Sequence, residues 1–467
     1  MNTLTYASEP AALDSRRWLA LAVLLIGTML PPLDFFIVNV TLPAIRTDLR
    51  ASSDVSQLVI SVYAAAYAVT LILGGRLGDL YGRKRAFVGG MFGFGVASAL
   101  CGLAPSPSVL VVGRLLQGIS AAIMAPQSLA SIHALFPASE KNRALSLYGA
   151  TFGLASVGGQ LLGGVLVSAS PWGLSWRSVF LINLPLIVVA IPAALALLRE
   201  SRAERSARLD VPGALLLASG LLALVVPLVE GREHHWPWWC VALLSLSAPF
   251  LCVFWWYEKR QELADRAPLI LPSILAARGL KRSLTAAFFF YSLAAFFFVF
   301  AVYEQAGLGN DALAAGLAIL PLGIGFFLGP LCGPPIVRRL GSRTAAFGMI
   351  LEVLGLVMVA VLACIDASSW LVFPLFLIGA GQGIALPALV RLNVDQVDTR
   401  WAGLASGLVT ATLQISAAVS IAIIGGLFIA IAPDGAAAHD VRLGFTVASL
   451  AIGAALALAA GLSWKRQ

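Results

Sequence analysis

The chain has 467 residues, of which 59% are hydrophobic and only 12% charged, and its mean hydropathy is +0.90. A soluble domain carries about 25% charged residues, so this composition excludes an ordinary globular domain and fits a polytopic helical membrane protein. The apolar residues come in unbroken runs, which excludes a transmembrane β-barrel, and the net charge of +8 is read as membrane topology, with no nucleic-acid partner expected.

Runs long enough for a helix to cross ~30 Å of hydrocarbon lie near residues 18–40, 55–76, 86–104, 107–133, 144–168, 178–198 and 211–229. They continue near 238–257, 282–303, 312–336, 344–364, 370–390, 401–430 and 443–464, which makes fourteen expected spans. The first lacks a small-residue cleavage site and is read as a retained span. Placing the N-terminus inside puts 25 of the 31 lysines and arginines in inner segments. The outer segments keep only Arg46, Arg50, Arg177, Arg232 and Arg442, and Arg114 alone lies within a span. The excess of inner positive charge sets both termini on the cytoplasmic side of a bacterial-type inner membrane.

Trp236, Trp238 and Trp239 on one side, and Trp255, Trp256 and Tyr257 on the other, bracket the eighth span as interfacial anchors. His234 and His235 share the outer loop and read as solvated. Cys101, Cys240, Cys252, Cys332 and Cys364 show no ligand spacing, so neither a metal, a cofactor nor a disulfide framework is expected. No P-loop or pore-loop signature occurs, which argues against ATP-driven pumping and a channel.

Between the second and third spans lies Gly74-Gly75-Arg76-Leu77-Gly78-Asp79-Leu80-Tyr81-Gly82-Arg83-Lys84-Arg85, read as a tight basic turn. Gly75, Gly78 and Gly82 permit close approach or unusual dihedrals, and Arg83 and Lys84 mark the inner side. Asp79 is the odd member, an acid where positive charge alone would serve topology. A worn copy, Gly329-Pro330-Leu331-Cys332-Gly333 with Arg338-Arg339-Leu340-Gly341-Ser342-Arg343, separates the tenth and eleventh spans. Arg114-Leu115-Leu116-Gln117-Gly118 with Pro126 is echoed by Gly381-Gln382-Gly383 with Pro387. The chain is therefore read as an all-α integral membrane protein of two pseudo-symmetric six-helix bundles. They occupy residues 1–200 and 261–467, with an inserted pair, spans 7 and 8, in residues 201–260. Duplicated halves about a central site are the architecture of secondary transporters.

Gly75-x-Leu77-x-Asp79-x-x-Gly82-Arg83-Lys84 resembles the loop 2–3 signature of the major facilitator superfamily. Leu33-Asp34-Phe35-Phe36-Ile37-Val38-Asn39-Val40-Thr41-Leu42-Pro43 and Arg114-x-x-Gln117-Gly118 resemble first- and fourth-span signatures of its fourteen-span drug:proton antiporter branch. Trp176-Arg177-Ser178-Val179-Phe180-Leu181-Ile182-Asn183-Leu184-Pro185 resembles the entry to the sixth span of that branch. Its fifth-span antiporter signature is Gly-Pro-x-x-Gly-Gly. Here Gly159-Gln160-Leu161-Leu162-Gly163-Gly164 replaces the proline with glutamine, which predicts a weaker helix bend.

The resemblance implies proton-coupled efflux of hydrophobic or cationic small molecules by a monomer embedded in the lipid bilayer, not an enzyme. The same fold also serves dedicated exporters of one metabolite, antibiotic or siderophore. A transporter-shaped sensor is the reading from another class, disfavoured because a sensor needs no titratable carrier. By family analogy the turn is a gate, with Asp79 near the positive N-terminal end of the thirteenth span, close to Trp401.

An ionisable residue within a span costs at least ~2.5–3.5 kcal/mol unless paired or hydrated, and so marks a candidate site. Asp34 lies roughly 25 Å up from the inner edge and Arg114 roughly 10 Å down from the outer edge, at ~1.5 Å per residue. The two are expected to share a depth, face one cavity and interact as the proton and substrate pair. A static pair joining two helices is the simpler reading. Glu304, at the outer end of the ninth span, is a candidate cation contact or a hydrated interfacial acid, and Glu352, near mid-bilayer, a coupling site or a packing residue. Of Phe288, Phe289, Phe290, Tyr291, Phe296, Phe297, Phe298 and Tyr303, most are expected to face lipid, with Phe298 and Tyr303 as ligand contacts. Asn39, Gln57, Gln117, Gln160, Gln382 and Gln414 are read as interhelical hydrogen-bond formers or cavity wall.

Overall fold

The computed structural model describes residues 16–464 apart from 202–209, 234–235, 265, 267, 271, 276–277, 395, 398–401 and 434. Trp401, His234 and His235 lie outside the described residues, and so do the side chains of Asp79, Gln57 and Cys332.

The first half of the chain forms α1 (Arg17–Leu49), α2 (Ser53–Tyr81), α3 (Arg83–Gly102), α4 (Pro107–Leu135), α5 (Ala138–Ala169) and α6 (Ser175–Leu197). Next come α7 (Val211–Glu233) and α8 (Trp238–Leu263). The rest comprises α9 (Gly279–Gly307), a short helix Ala312–Ala318, α10 (Leu320–Leu340), α11 (Thr344–Cys364), α12 (Val372–Val394), α13 (Ala402–Ser420) and α14 (Ala438–Trp464). After Ser420, α13 continues through a π turn to Ile431.

Local chemistry starts these helices where it can. Ser52 and Ser106 Oγ accept the Val55 and Val109 N–H groups at 3.3 and 3.5 Å, and Asp311 Oδ1 accepts that of Ala314 at 2.7 Å. These caps satisfy donors that a helix start leaves free. Among the described residues, thirteen helices are long and apolar enough to cross a membrane. The second expected span, α2, has a described apolar stretch of only Leu58–Leu71.

The first six helices pack together, α1 on α5, α2 on α4, and α3 on α4 and α6. The last six repeat the pattern, with α10 and α11 on α12, and α14 on α9 and α11. The groups meet along two seams, α2 with α13, and α5 with the short helix Ala312–Ala318 and α10. The pair α7 and α8 packs on itself and lies against α2.

Two expectations change. The motif at residues 74–85 is no extended turn: α2 stays helical through Tyr81 and only Gly82, at φ 107°, breaks the chain before α3. Gly341, at φ 55°, makes the matching break between α10 and α11. Both breaks use left-handed backbone that glycine adopts without strain. The aromatic run of α9 does not mostly face lipid. Phe290, Phe296, Phe297, Phe298, Phe300 and Tyr303 are all buried, because α9 is enclosed by α1, α13 and α14. Phe297 meets Phe36 edge-on at 4.6 Å, and Tyr303 stacks on Phe445 at 4.1 Å.

Candidate functional site

α1 brings Asp34 and α4 brings Arg114 to the same place, where both side chains are 0% exposed. Asp34 Oδ2 accepts a short hydrogen bond from Arg114 Nη1. Asp34 Oδ1 accepts from Gln117 Nε2 at 3.0 Å and from Asn183 Nδ2 at 3.2 Å. All three partners are N–H donors, a pattern suited to a carboxylate, which only accepts.

Arg114 has further partners besides Asp34. Its Nε donates to the Val59 carbonyl at 3.0 Å, its Nη1 also reaches Gln117 Oε1 at 2.8 Å, and the guanidinium lies 4.2 Å from the centre of the Tyr63 ring. The Tyr63 hydroxyl donates to the Pro31 carbonyl at 3.0 Å, tying α2 to α1. Arg114 Nη2 is buried and has no partner among the described residues.

Gln117 is the hub. Its Nε2 donates to Asp34 and, at 2.8 Å, to Ser98 Oγ; its Oε1 accepts from Arg114 and, at 3.4 Å, from Cys101 Sγ. Ser98 Oγ also accepts from Asn183 Nδ2 at 3.2 Å. One polar cluster thus joins α1, α2, α3, α4 and α6. Such networks, satisfied at nearly every atom, fix a single arrangement of the helices that supply them. Both charged side chains lie buried within the first six helices.

Reading the sequence residue by residue misses Ser98, Tyr63 and the part played by Asn183. Asn183 sits within the sixth-span motif and could have been singled out there; Ser98 and Tyr63 lie in apolar runs without any such mark.

The other candidates stand apart. Glu304 lies in the π turn Tyr303–Gly307, buried, with Oε2 accepting from Asn310 Nδ2 at 2.7 Å and its carbonyl from Asn310 N at 3.0 Å. These two contacts close its own turn. Glu352 is fully buried in α11 against Gly381 of α12, where a Cβ would lie 2.8 Å from Glu352 Cγ. Neither of its carboxyl oxygens has a partner among the described residues.

At the motif between α2 and α3, close packing belongs to Gly74 and Gly78 rather than Gly75. A Cβ on Gly74 would collide with the Ala122 carbonyl, and one on Gly78 with the Gln127 amide, whose Nε2 donates to Gly74 O at 2.7 Å. Glu200 covers the start of α3: its Oε1 accepts the Lys84 N–H at 3.1 Å, and its Oε2 lies 3.7 Å from Arg85 Nε. Lys84 Nζ donates to Leu195 O at 2.6 Å and Arg83 Nη1 to Ala130 O at 3.3 Å. Both basic residues thus bind carbonyls of neighbouring helices. Glu200 went unremarked in the sequence, masked by the arginines around it.

The glycines of α5 form its contact surfaces. A Cβ on Gly159 or Gly163 would lie 2.8 Å from the Leu33 or Ile37 carbonyl of α1. One on Gly164 would lie 2.6 Å from the Ala312 carbonyl across the seam. In return, a Cβ on Gly316 would lie 2.6 Å from Gln160 O. With glutamine at 160, α5 is one uninterrupted helix, and Gln160 Nε2 is buried without a partner among the described residues.

The sequence model of the Major Facilitator Superfamily matches residues 24–421. The chain is 39% identical to the "Probable actinorhodin transporter" of Streptomyces coelicolor, over 89% of this chain and 73% of that protein. It is 34% identical to "Puromycin resistance protein pur8" of Streptomyces alboniger, over 88% and 82% of the two chains. It is 31% identical to "Multidrug resistance protein Stp" of Mycobacterium tuberculosis, over 87% and 74%. In fold it resembles the inward-facing bacterial homologue of the human lysosomal transporter Spinster, with a TM-score of 0.68 at 16% identity over 96% of each chain. Paired six-helix groups, glycine-broken turns at matching places in the two groups and a match along most of the sequence lead to one assignment: the chain belongs to the major facilitator superfamily, a family of membrane transporters.

Proposed function

We propose that this protein exports hydrophobic, cationic drug-like compounds across the bacterial plasma membrane by alternating access, in exchange for protons. The observation that carries the reading is Asp34, a buried carboxyl held by donors from α4 and α6. A proton arriving on Asp34 adds an O–H that must donate. Its three neighbours are all donors, so at least one has to turn away. Loading the proton therefore loosens α1 from α4 or α6, and a cationic substrate competing for the same carboxyl completes the exchange. Relatives named for antibiotic export and resistance support the choice of drug-like cargo.

In this reading residues 1–200 and 261–467 are the two rocking halves and residues 201–260 the inserted pair. The chain works as a monomer with both termini in the cytoplasm. Gly75, Asp79, Gly82, Arg83 and Lys84 form the inner gate; Gly159, Gln160, Gly163 and Gly164 form the sliding seam. Glu352 serves as a second proton site, on the strength of its two unpartnered oxygens.

The test is a drug-susceptibility panel in an efflux-deficient host expressing the native chain or Asp34→Asn, with proton release measured on adding substrates to purified protein. Resistance and proton release from the native chain, both lost in the variant, are expected. Proton-coupled efflux surviving in Asp34→Asn would overturn the carrier role. A dedicated exporter of a single antibiotic is the second reading, favoured by the actinorhodin and puromycin relatives, each named for one compound. A native chain that changes susceptibility to one panel member only would select it.

A further inference from the structure

The inserted pair carries two carboxyls that the transport path above does not use. Asp210 stands immediately before α7 and caps it, Oδ1 accepting the Gly213 N–H at 3.0 Å. Glu258 lies toward the end of α8; its Oε2 accepts the Ile270 N–H at 2.8 Å, and the Leu269 backbone also hydrogen-bonds its carboxyl. Each acid is left with one oxygen, Asp210 Oδ2 and Glu258 Oε1, buried and without a hydrogen-bond partner among the described residues. Glu258 is 0% exposed and Asp210 8%.

The two free oxygens converge beside Gly213. A Cβ there would collide with Glu258 Oε1 and lie 2.5 Å from Asp210 Oδ2, so only glycine leaves room for both. Both oxygens thus lie within 2.5 Å of one point, so the two carboxyls face each other closely. Among the described residues, no ion pair neutralises them. The Tyr257 hydroxyl reaches the Asp210 carboxyl and accepts from Gln261 Nε2. Lys259 and Arg260 are exposed, with Arg260 stacked 4.2 Å over the Trp256 ring. From α2, Arg76 Nη2 donates to the Pro268 carbonyl at 2.9 Å. From α13 the contacts are apolar, Leu408 and Ile415. Two ionised carboxyls facing each other out of water are strongly disfavoured, whereas one proton between them gives a donor to one oxygen and an acceptor to the other.

We propose that Asp210 and Glu258 form a proton-binding dyad. One proton from water bonds to an oxygen of one acid and hydrogen-bonds to the facing oxygen of the other. The protonated dyad holds the segment Pro268–Ile270 in place. Leu269 and Ile270 pack with Ala214, Leu217, Leu221 and Phe254 of the pair and with Leu408 of α13, while Val69 and Leu73 of α2 border the same cluster. Arg76, within the glycine-rich motif, grips the same segment by its Pro268 carbonyl. Loss of the proton leaves two facing charges beneath this segment and frees it at the seam between α2 and α13. The inserted helices thereby make the inner gate sensitive to pH, whatever the cargo.

The experiment compares purified full-length native protein with Glu258→Gln and Asp210→Asn. Infrared spectra at neutral pH are expected to show the C=O stretch of a protonated carboxyl in the native chain that is lost in either variant, where an amide N–H takes the place of the shared proton. The native melting temperature should fall by several degrees between about pH 6 and about pH 9, with that slope flattened in both variants. Unchanged carboxyl bands in the variants, or equal pH slopes in all three proteins, would overturn the dyad. Restoration of native stability at high pH by added Mg2+ or Ca2+ would overturn it in favour of a cation. Two independent variants keep the test decisive if one fails to fold, and neither readout depends on export.

Discussion

Removing one charge from the Asp34–Arg114 pair is the sharpest perturbation this arrangement offers. In Asp34→Asn, one amide position can go on accepting from Gln117 and Asn183, but the other becomes an N–H2 donor facing the Arg114 donor. The guanidinium keeps its charge at zero exposure, held among the described residues by the Val59 carbonyl, the Gln117 oxygen and the faces of Tyr63 and Phe180. Breaking a buried pair from one side costs about 3–5 kcal/mol, chiefly because a charge is left uncompensated. Arg114→Gln is the mirror case and leaves a buried carboxylate. The double variant Asp34→Asn/Arg114→Gln removes both charges and allows amide to bond amide. Its cost should therefore fall short of the summed single costs by about 1–3 kcal/mol. The assay is reversible denaturant unfolding of all four proteins in mixed micelles. Additive costs, or a silent Arg114→Gln, would refute the pair as a coupled buried unit and with it the rearrangement that proton loading is proposed to trigger.

Gly159→Val should separate α1 from α5, since its Cβ alone would sit 2.8 Å from the Leu33 carbonyl and 2.9 Å from Phe36 Cβ; a loss of about 1–3 kcal/mol is expected on overpacking grounds in the same unfolding assay. Gln160→Leu removes a buried N–H2 that has no partner among the described residues, so stability should hold or rise by up to about 1 kcal/mol, and a clear loss would mean the amide is satisfied. The Arg17–Glu140 pair ties the start of α1 to the start of α5, with Arg17 Nε and Nη2 each 2.8 Å from a Glu140 oxygen. That hydrogen bonding lowers the Glu140 pKa, so its contribution is present above the ordinary carboxylate pKa and is lost as pH falls through the lowered folded value. The native melting temperature should therefore drop more than that of Glu140→Gln on acidification below about pH 4.

Much of this protein is written in its composition and spacing. Run lengths place the helices, and the glycine spacing of the repeated motif marks both chain breaks, at Gly82 and Gly341. Asp34, in the middle of α1, and Arg114, the one arginine of α4, stand out because charge is costly in hydrocarbon. The azimuth of each helix is not legible in the same way. Lipid and the packed interior are both apolar, so a spanning helix shows no strong hydrophobic face to say what it buries. For that reason the aromatic run of α9 invites assignment to lipid although it is enclosed.

The same ambiguity hides the partners of the charged pair. Gln117 differs from the other intramembrane amides only in where its neighbours fall, and Ser98, Tyr63 and Asn183 reach the cluster from three further helices. Asp210 and Glu258 are separated by the whole inserted pair, and only the packing of α7 on α8 turns their free oxygens toward one another beside Gly213. The sequence by itself determined that the chain is all-helical with long apolar spans, and which residues do not belong in a membrane. Tertiary structure alone decided which of those residues meet, because a meeting depends on the rotation and crossing of helices whose surfaces look alike to the solvent around them.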